Sequence, residues 1–175
     1  MLKFTCILLS FISVQSVTAQ RKVSSYFSLQ YNKTIYDITS GNNPSGVGLG
    51  LEAYFNTKSK FKPVIDITAH VYLEDDKVLR MDGYGREILD VGAMINVFAG
   101  VLFQPTERTF LSLLAGPSFI NGASFGIKPS IGFYFDKRQK IMAKMSFINI
   151  FNRNTDTEFK SDFGSMSFAI GFKLF

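Results

Sequence analysis

Few residues of this 175-residue sequence are of types that carry chemistry, and the informative ones are charges inside segments of alternating character. Glu52, Asp66, Lys128, Lys144 and Lys173 each sit on the small or polar side of such a segment. Carboxylates and ammoniums held together there form either a buried, hydrogen-bonded ion network or the lining of a narrow path for a solute or ion. The network has the simpler physics, because an unpaired charge in a low-dielectric interior is costly. His70 is the only histidine, so a zinc site would need carboxylates alone. A lipid hydrolase would need a His-x-Ser pair with a supporting carboxylate, whereas His70 is followed by Val71 and Tyr72. Its parity groups it with Asp66 and Thr68, as a satisfied interior histidine. Carboxylates and glycines also occur from Glu74-Asp75-Asp76 to Asp82-Gly83-Tyr84-Gly85. They lack the ordered spacing and closing Glu of an EF-hand and read as a solvated loop. Gly48 and Gly50 open no helix, which argues against a phosphate loop. No catalytic residue, metal or cofactor is expected.

The elements that position these groups are strands. Residues 1–19 have one basic residue, Lys3, an apolar run from Phe4 to about Val14, and small residues at Val17-Thr18-Ala19 before Gln20. This is the pattern of a cleaved secretory signal peptide, and the run is too short for a spanning helix, which needs about 20 apolar residues. The only cysteine, Cys6, lies within it, so a mature chain of residues 20–175 has no thiol chemistry. Beyond it no continuous apolar stretch of helix-spanning length occurs, and any passage through a membrane must use strands. Period-two alternation then recurs eight times, over residues 22–34, 47–56, 61–73, 90–103, 109–119, 125–135, 140–151 and 164–175. The parity is clean in Val47, Leu49, Leu51, Ala53 and Phe55, and weak in the fourth and fifth segments. Connections alternate between short (57–60, 104–108, 136–139) and long (35–46, 74–89, 152–163), with 120–124 a short exception. Together these predict an all-β fold, an eight-stranded antiparallel up-and-down transmembrane β-barrel.

The two faces decide between a membrane barrel and a soluble one. One face repeats Phe, Ile, Leu and Met, and the other is rich in Gly, Ser, Thr and Asn. An eight-stranded interior is only just wide enough for side chains to fill it, so the bulky face is expected outward and the small polar face inward. A water-facing wall would carry many Lys and Glu residues. Here charge collects at strand ends instead, with Glu74, Asp75, Asp76, Asp82, Glu87, Asp156, Glu158 and Asp162 in long loops. Lys58, Lys60, Arg108, Lys137, Arg138 and Lys140 lie in or beside short turns. The formal charge of +5, or +4 without Lys3, is too mild and too dispersed to indicate nucleic-acid binding.

The Thr18-Ala19-Gln20 signal end, the Phe133-Tyr134-Phe135-Asp136-Lys137 turn entry and the ending Met166-Ser167-Phe168-Ala169-Ile170-Gly171-Phe172-Lys173-Leu174-Phe175 carry a family resemblance. The chain resembles the small bacterial outer-membrane β-barrels of the OmpA-like, OmpX-like and PorT-like kind, especially those of Bacteroidetes. The resemblance implies export by a Sec-type signal, residence in the outer membrane among its lipids and lipopolysaccharide, and insertion by the barrel assembly machinery. That machinery would read Phe168, Phe172 and Phe175 of the last strand. Phe175 departs from the family pattern, falling in register with Lys173, Gly171 and Ala169. A bulge near the end or a degenerate signal would account for this.

The function expected is a structural, adhesive or interaction role through the long loops around Asn42 to Ser45, Lys77 to Arg86 and Thr155 to Asp162. A protein partner there is the expected contact. A narrow porin-like solute channel is the alternative, and a lipid-modifying enzyme a weaker one.

Overall fold

The structure is a computed structural model and describes residues 23–36, 43–73, 92–120, 122–153 and 161–175. Eight strands follow one another: β1 (Val23–Tyr36), β2 (Ser45–Phe55), β3 (Phe61–Leu73), β4 (Ala93–Phe103), β5 (Thr109–Phe119), β6 (Ala123–Tyr134), β7 (Ile141–Arg153) and β8 (Ser161–Lys173). Each pairs antiparallel with its sequence neighbour, and β1 pairs with β8 to close an eight-stranded barrel. The signal segment and most of the long loops, including the Glu74 to Gly85 carboxylates, lie outside the described residues.

The register fixes the barrel's geometry. From Lys62 the pairing runs through Leu102, Ser112, Ser130, Ser146, Ser167, Asn32 and Gly46 and returns to β3 at Tyr72. The circuit is thus displaced ten residues along one strand, from 62 to 72. With about 3.3 Å per residue and about 4.8 Å between strands, that shear tilts the strands by roughly 40°. Two gaps in the ladders fall beside prolines, at Pro117 between β4 and β5 and at Pro129 between β6 and β7. Proline has no N–H to give to the neighbouring strand.

Alternation puts the bulky apolar residues outside. Leu49, Leu51, Ile65, Ile67, Val97, Leu113, Ile131, Phe168 and Ile170 are all exposed on the outer wall, whereas their sequence neighbours on the other parity are mostly buried in the lumen. The weak fourth and fifth segments obey the same rule. Met94, Asn96, Phe98 and Leu102 point inward from β4, and Phe110, Leu114 and Ser118 from β5.

The lumen holds the small polar side chains expected from the sequence, Ser28, Asn32, Thr68, Asn96, Ser146 and Ser167 among them, and it holds large ones besides. Its half nearer the short turns is packed with Tyr26, Tyr54, Tyr134, Phe110, Leu102 and Met142, and Met94, Ile148 and Phe163 are buried toward the long loops. Glycines on the same face make this possible. A Cβ on Gly132 would collide with the Phe110 ring, and one on Gly171 would stand 2.5 Å from the Met142 Cε. Large side chains from one wall therefore occupy the space left empty by the other. The expected bulge at the end of the last strand is present. β8 pairs with β1 in even register up to Lys173, after which Leu174 N–H donates to the Ser25 carbonyl at 2.8 Å and Ser25 N–H donates to the Phe175 carbonyl at 3.1 Å, so two residues of β8 face one of β1. Leu174 and Phe175 are both exposed there. Two further shifts in β8 pairing lie at the other end, at Thr34/Tyr36 and Ile150/Arg153.

Candidate functional site

Glu52 on β2 and Asp66 on β3 are register partners, so both carboxylates enter the lumen side by side. Two adjacent buried anions are tolerable only with cations opposite them. Lys128 on β6 and Lys144 on β7 supply these from the far wall. Lys128 Nζ donates to Asp66 Oδ2 at 2.6 Å and Lys144 Nζ to Glu52 Oε1 at 2.5 Å, with Lys144 also 3.8 Å from Asp66 Oδ2. The Tyr54 hydroxyl donates to the second Glu52 oxygen at 2.6 Å. The four charged side chains are at most 2% exposed, and their formal charges cancel.

Two of the residues grouped with them from the sequence stand apart. His70 lies higher, its Nδ1 2.8 Å from Asn32 Nδ2. An amide nitrogen only donates, so in this contact Nδ1 is the acceptor and the ring proton sits on Nε2. Among the described residues no hydrogen bond joins the ring to a serine or a carboxylate. Lys173 is half-buried at the turn end, with no carboxylate partner among the described residues. The reason is Tyr26, which is the register partner of both Lys173 and Glu52 and puts its ring between them. Phe168, Phe172 and Phe175 are all exposed on the outer wall.

The ion layer is flanked on both sides. Toward the turns, the Tyr26 ring lies 5.0 Å from Tyr54 and 6.1 Å from Tyr134, which in turn lies 5.1 Å from Phe110. The Tyr26 hydroxyl donates to the Gln139 carbonyl at 2.9 Å, and Gln139 Nε2 donates to the Glu107 carbonyl at 3.0 Å. Gln139 has φ 55°, a left-handed turn conformation that aims its carbonyl and side chain at these partners. The β6–β7 turn is thereby tied to β1 and to the β4–β5 turn across the mouth. The signal for this in the sequence is slight, a single Gln between basic residues. Toward the long loops, Ser28, Gln30 and Ser167 form a hydrogen-bonded chain, and Asn96 donates to Thr68 at 3.1 Å. Tyr72 meets Phe163 edge-on at 5.4 Å above them.

Chemically this arrangement neutralises its own charges. Every charge of the layer is answered by another, and none is presented to solvent. Among the described residues no three His, Cys, Asp or Glu side chains converge as metal ligands.

The ends of the barrel differ in charge. The turn end carries Lys58, Lys60, Lys62, Arg108, Lys137, Arg138, Lys140 and Lys173 against the side chains of Glu107 and Asp136. Asp136 Oδ1 is occupied by the Lys140 and Ile141 backbone N–H groups. Among the described residues every ion pair lies in the lumen, and none joins these surface cations to a carboxylate.

No family model and no curated protein matches the sequence. Solved structures do resemble it. The attachment invasion locus protein Ail of Yersinia pestis, in complex with the heparin analogue sucrose octasulfate, is 11% identical with a TM-score of 0.56, covering 87% of this chain and 98% of that one. Ail in a phospholipid bilayer nanodisc is 13% identical with a TM-score of 0.51, covering 86% and 99%. Neisserial surface protein A is 10% identical with a TM-score of 0.54, covering 87% and 97%. At these identities the likeness is one of fold: the chain shares the closed, eight-stranded antiparallel barrel of these proteins.

Proposed function

We propose that this chain is a bacterial outer-membrane barrel whose function is carried by its loop end, in a structural, adhesive or interaction role, and not by passage through its lumen. On this reading residues 1–19 are a Sec-type signal peptide, the outward apolar wall faces lipid, and the barrel assembly machinery reads the last strand through Phe168, Phe172 and Phe175. The turns face the periplasm, as the termini do. Lipopolysaccharide surrounds the loop half.

One observation carries the reading: an apolar outer wall surrounds a lumen closed by a charge-balanced layer and an aromatic layer. A rigid scaffold with no route through it acts at its ends. The long loops hold ten of the chain's fourteen acidic side chains at or beside their boundaries, and they are also its longest connections. Ail, a protein of similar fold, is named for attachment, which favours a protein or host-surface partner.

The test has two parts. Heat-dependent gel mobility together with outer-membrane fractionation checks the membrane reading, and recovery in the soluble periplasm would overturn it. Replacing residues 37–42, 74–91 and 154–160 by short Gly-Ser turns should leave heat-modifiable mobility intact and abolish attachment of expressing cells to a host-cell layer. Attachment unchanged by that replacement removes the display role. Unchanged lipid A acyl pattern on deletion of the gene is expected as well, and a changed pattern favours a lipid-modifying enzyme.

A further inference from the structure

Among the described residues the cations of the turn end form no ion pair and outnumber the carboxylates Glu107 and Asp136 beside them, although acidic side chains outnumber the basic ones in the long loops. We infer that the turn end is a binding surface for anionic phospholipid headgroups of the leaflet it enters, an inference that rests on the membrane reading above.

Three observations converge on this ligand. The first is height. Phe55, Phe61, Phe133, Phe135 and Phe172 are exposed on the outer wall at the strand ends next to the turns, and they mark where the apolar band stops. Aromatic side chains gather at the boundary between hydrocarbon and headgroups. The exposed Lys58, Lys60, Lys137 and Arg138 stand within a few residues beyond that rim, at the level of lipid phosphates.

The second is charge and shape. Between the β2–β3 and β4–β5 turns lies a cleft of about 410 Å³ whose charged lining is Lys58, Lys60 and Lys62 against the single carboxylate of Glu107, with Gln104 and Gln139 beside them. Lys62 Nζ donates to Gln104 Oε1 at 2.8 Å and so is held at the cleft wall. Three ammonium groups around a concave space suit phosphate oxygens. The third is availability. Asp136 turns its carboxylate to backbone N–H groups rather than to the neighbouring Lys137, Arg138 and Lys140 side chains. An acidic protein would also be attracted by this charge, but a protein surface would not need the cations to sit just past an apolar rim around the wall.

Lipid selectivity measures this directly. The full-length mature protein is folded into phosphatidylcholine bilayers, and spin-labelled phosphatidylglycerol and phosphatidylcholine are compared at its surface by electron paramagnetic resonance. The native protein is expected to prefer the anionic lipid by at least threefold in low salt, with the preference lost in 1 M salt, where screening reaches only about 3 Å. A variant with Lys58→Glu, Lys60→Glu, Lys137→Glu and Arg138→Glu should show no preference, and the Gln versions of the same four an intermediate one. Lys33→Glu, exposed toward the other end, should keep the native value. Heat-dependent mobility is read on every sample. Insertion with equal affinity for both lipids, or full selectivity in the Glu variant, overturns the inference and leaves the membrane reading intact. Failure of the native chain to insert into any bilayer overturns both.

Discussion

Lys144 and Glu52, 92 residues apart in the chain, meet at 2.5 Å across the lumen, and the Tyr54 hydroxyl takes the other Glu52 oxygen. The contact joins β7 to β2, which are not neighbours in the wall. It therefore braces the barrel across its diameter, as Lys128 with Asp66 does from β6 to β3. The four charges are balanced only as a set, because Lys144 also approaches Asp66 at 3.8 Å.

Removing one member of the set should be far worse than removing a matched pair. Glu52→Leu leaves Lys144 buried with only Asp66, already shared with Lys128, and should cost ~3–5 kcal/mol. Glu52→Leu with Lys144→Met should recover most of that loss, since a buried pair replaced by apolar residues of similar volume is often neutral. Urea unfolding of the barrel in lipid vesicles measures both. Equal destabilisation of the single and double variants would show that the cross-lumen pair is not the unit of stability.

Conductance tests which layer closes the lumen. Glu52→Ala and Asp66→Ala in planar bilayers should stay as silent as the native barrel, because Tyr26, Tyr54, Tyr134 and Phe110 still fill the turn half. Adding Tyr26→Ala and Phe110→Ala should produce steady current steps. Current from the two charge variants alone would make the ion layer the closure and favour a narrow channel.

The interlocking of glycine and aromatic residues is open to a packing test. Gly171→Leu puts a side chain where Met142 already lies and should destabilise by ~1–3 kcal/mol. Combining it with Met142→Ala frees that space and should restore part of the loss. Unfolding midpoints of the two variants decide the matter, and no recovery in the double variant would mean that the strain is in the backbone.

Much of this fold was legible in the sequence because parity along a tilted strand is a local property. Val47 to Phe55 assigns its faces without knowing any neighbour. Glu52, Asp66, Lys128 and Lys144 could thus be placed on the inward face. Their partners could not, since pairing across the lumen depends on a shear of ten residues, which accumulates around all eight strands. Lys173 shows the limit. It has the inward parity of the others, but its position along the barrel and the intervening Tyr26 keep it from Glu52. The aromatic interior was hidden for a different reason. Tyr and Phe suit either face of a membrane barrel, and only the glycines opposite them, Gly132 facing Phe110 and Gly171 facing Met142, carry the signal.

The outward wall makes the remaining prediction depend on depth. Ile67 lies at the centre of β3, paired with Leu51 and Val97, while Phe61 opens the same strand at the turn end. Both are exposed, so neither substitution disturbs the lumen. If the wall faces hydrocarbon, Ile67→Arg should cost ~2–4 kcal/mol and Phe61→Arg only ~0–1 kcal/mol from charge, as expected between midplane and interface. In water the two positions would be equivalent surface sites, and each change would fall within about 0.5 kcal/mol. Reversible unfolding in bilayers of matched thickness gives the two values. A flat profile would mean that the apolar face is covered by something other than lipid, and that the barrel's outer surface is a protein interface.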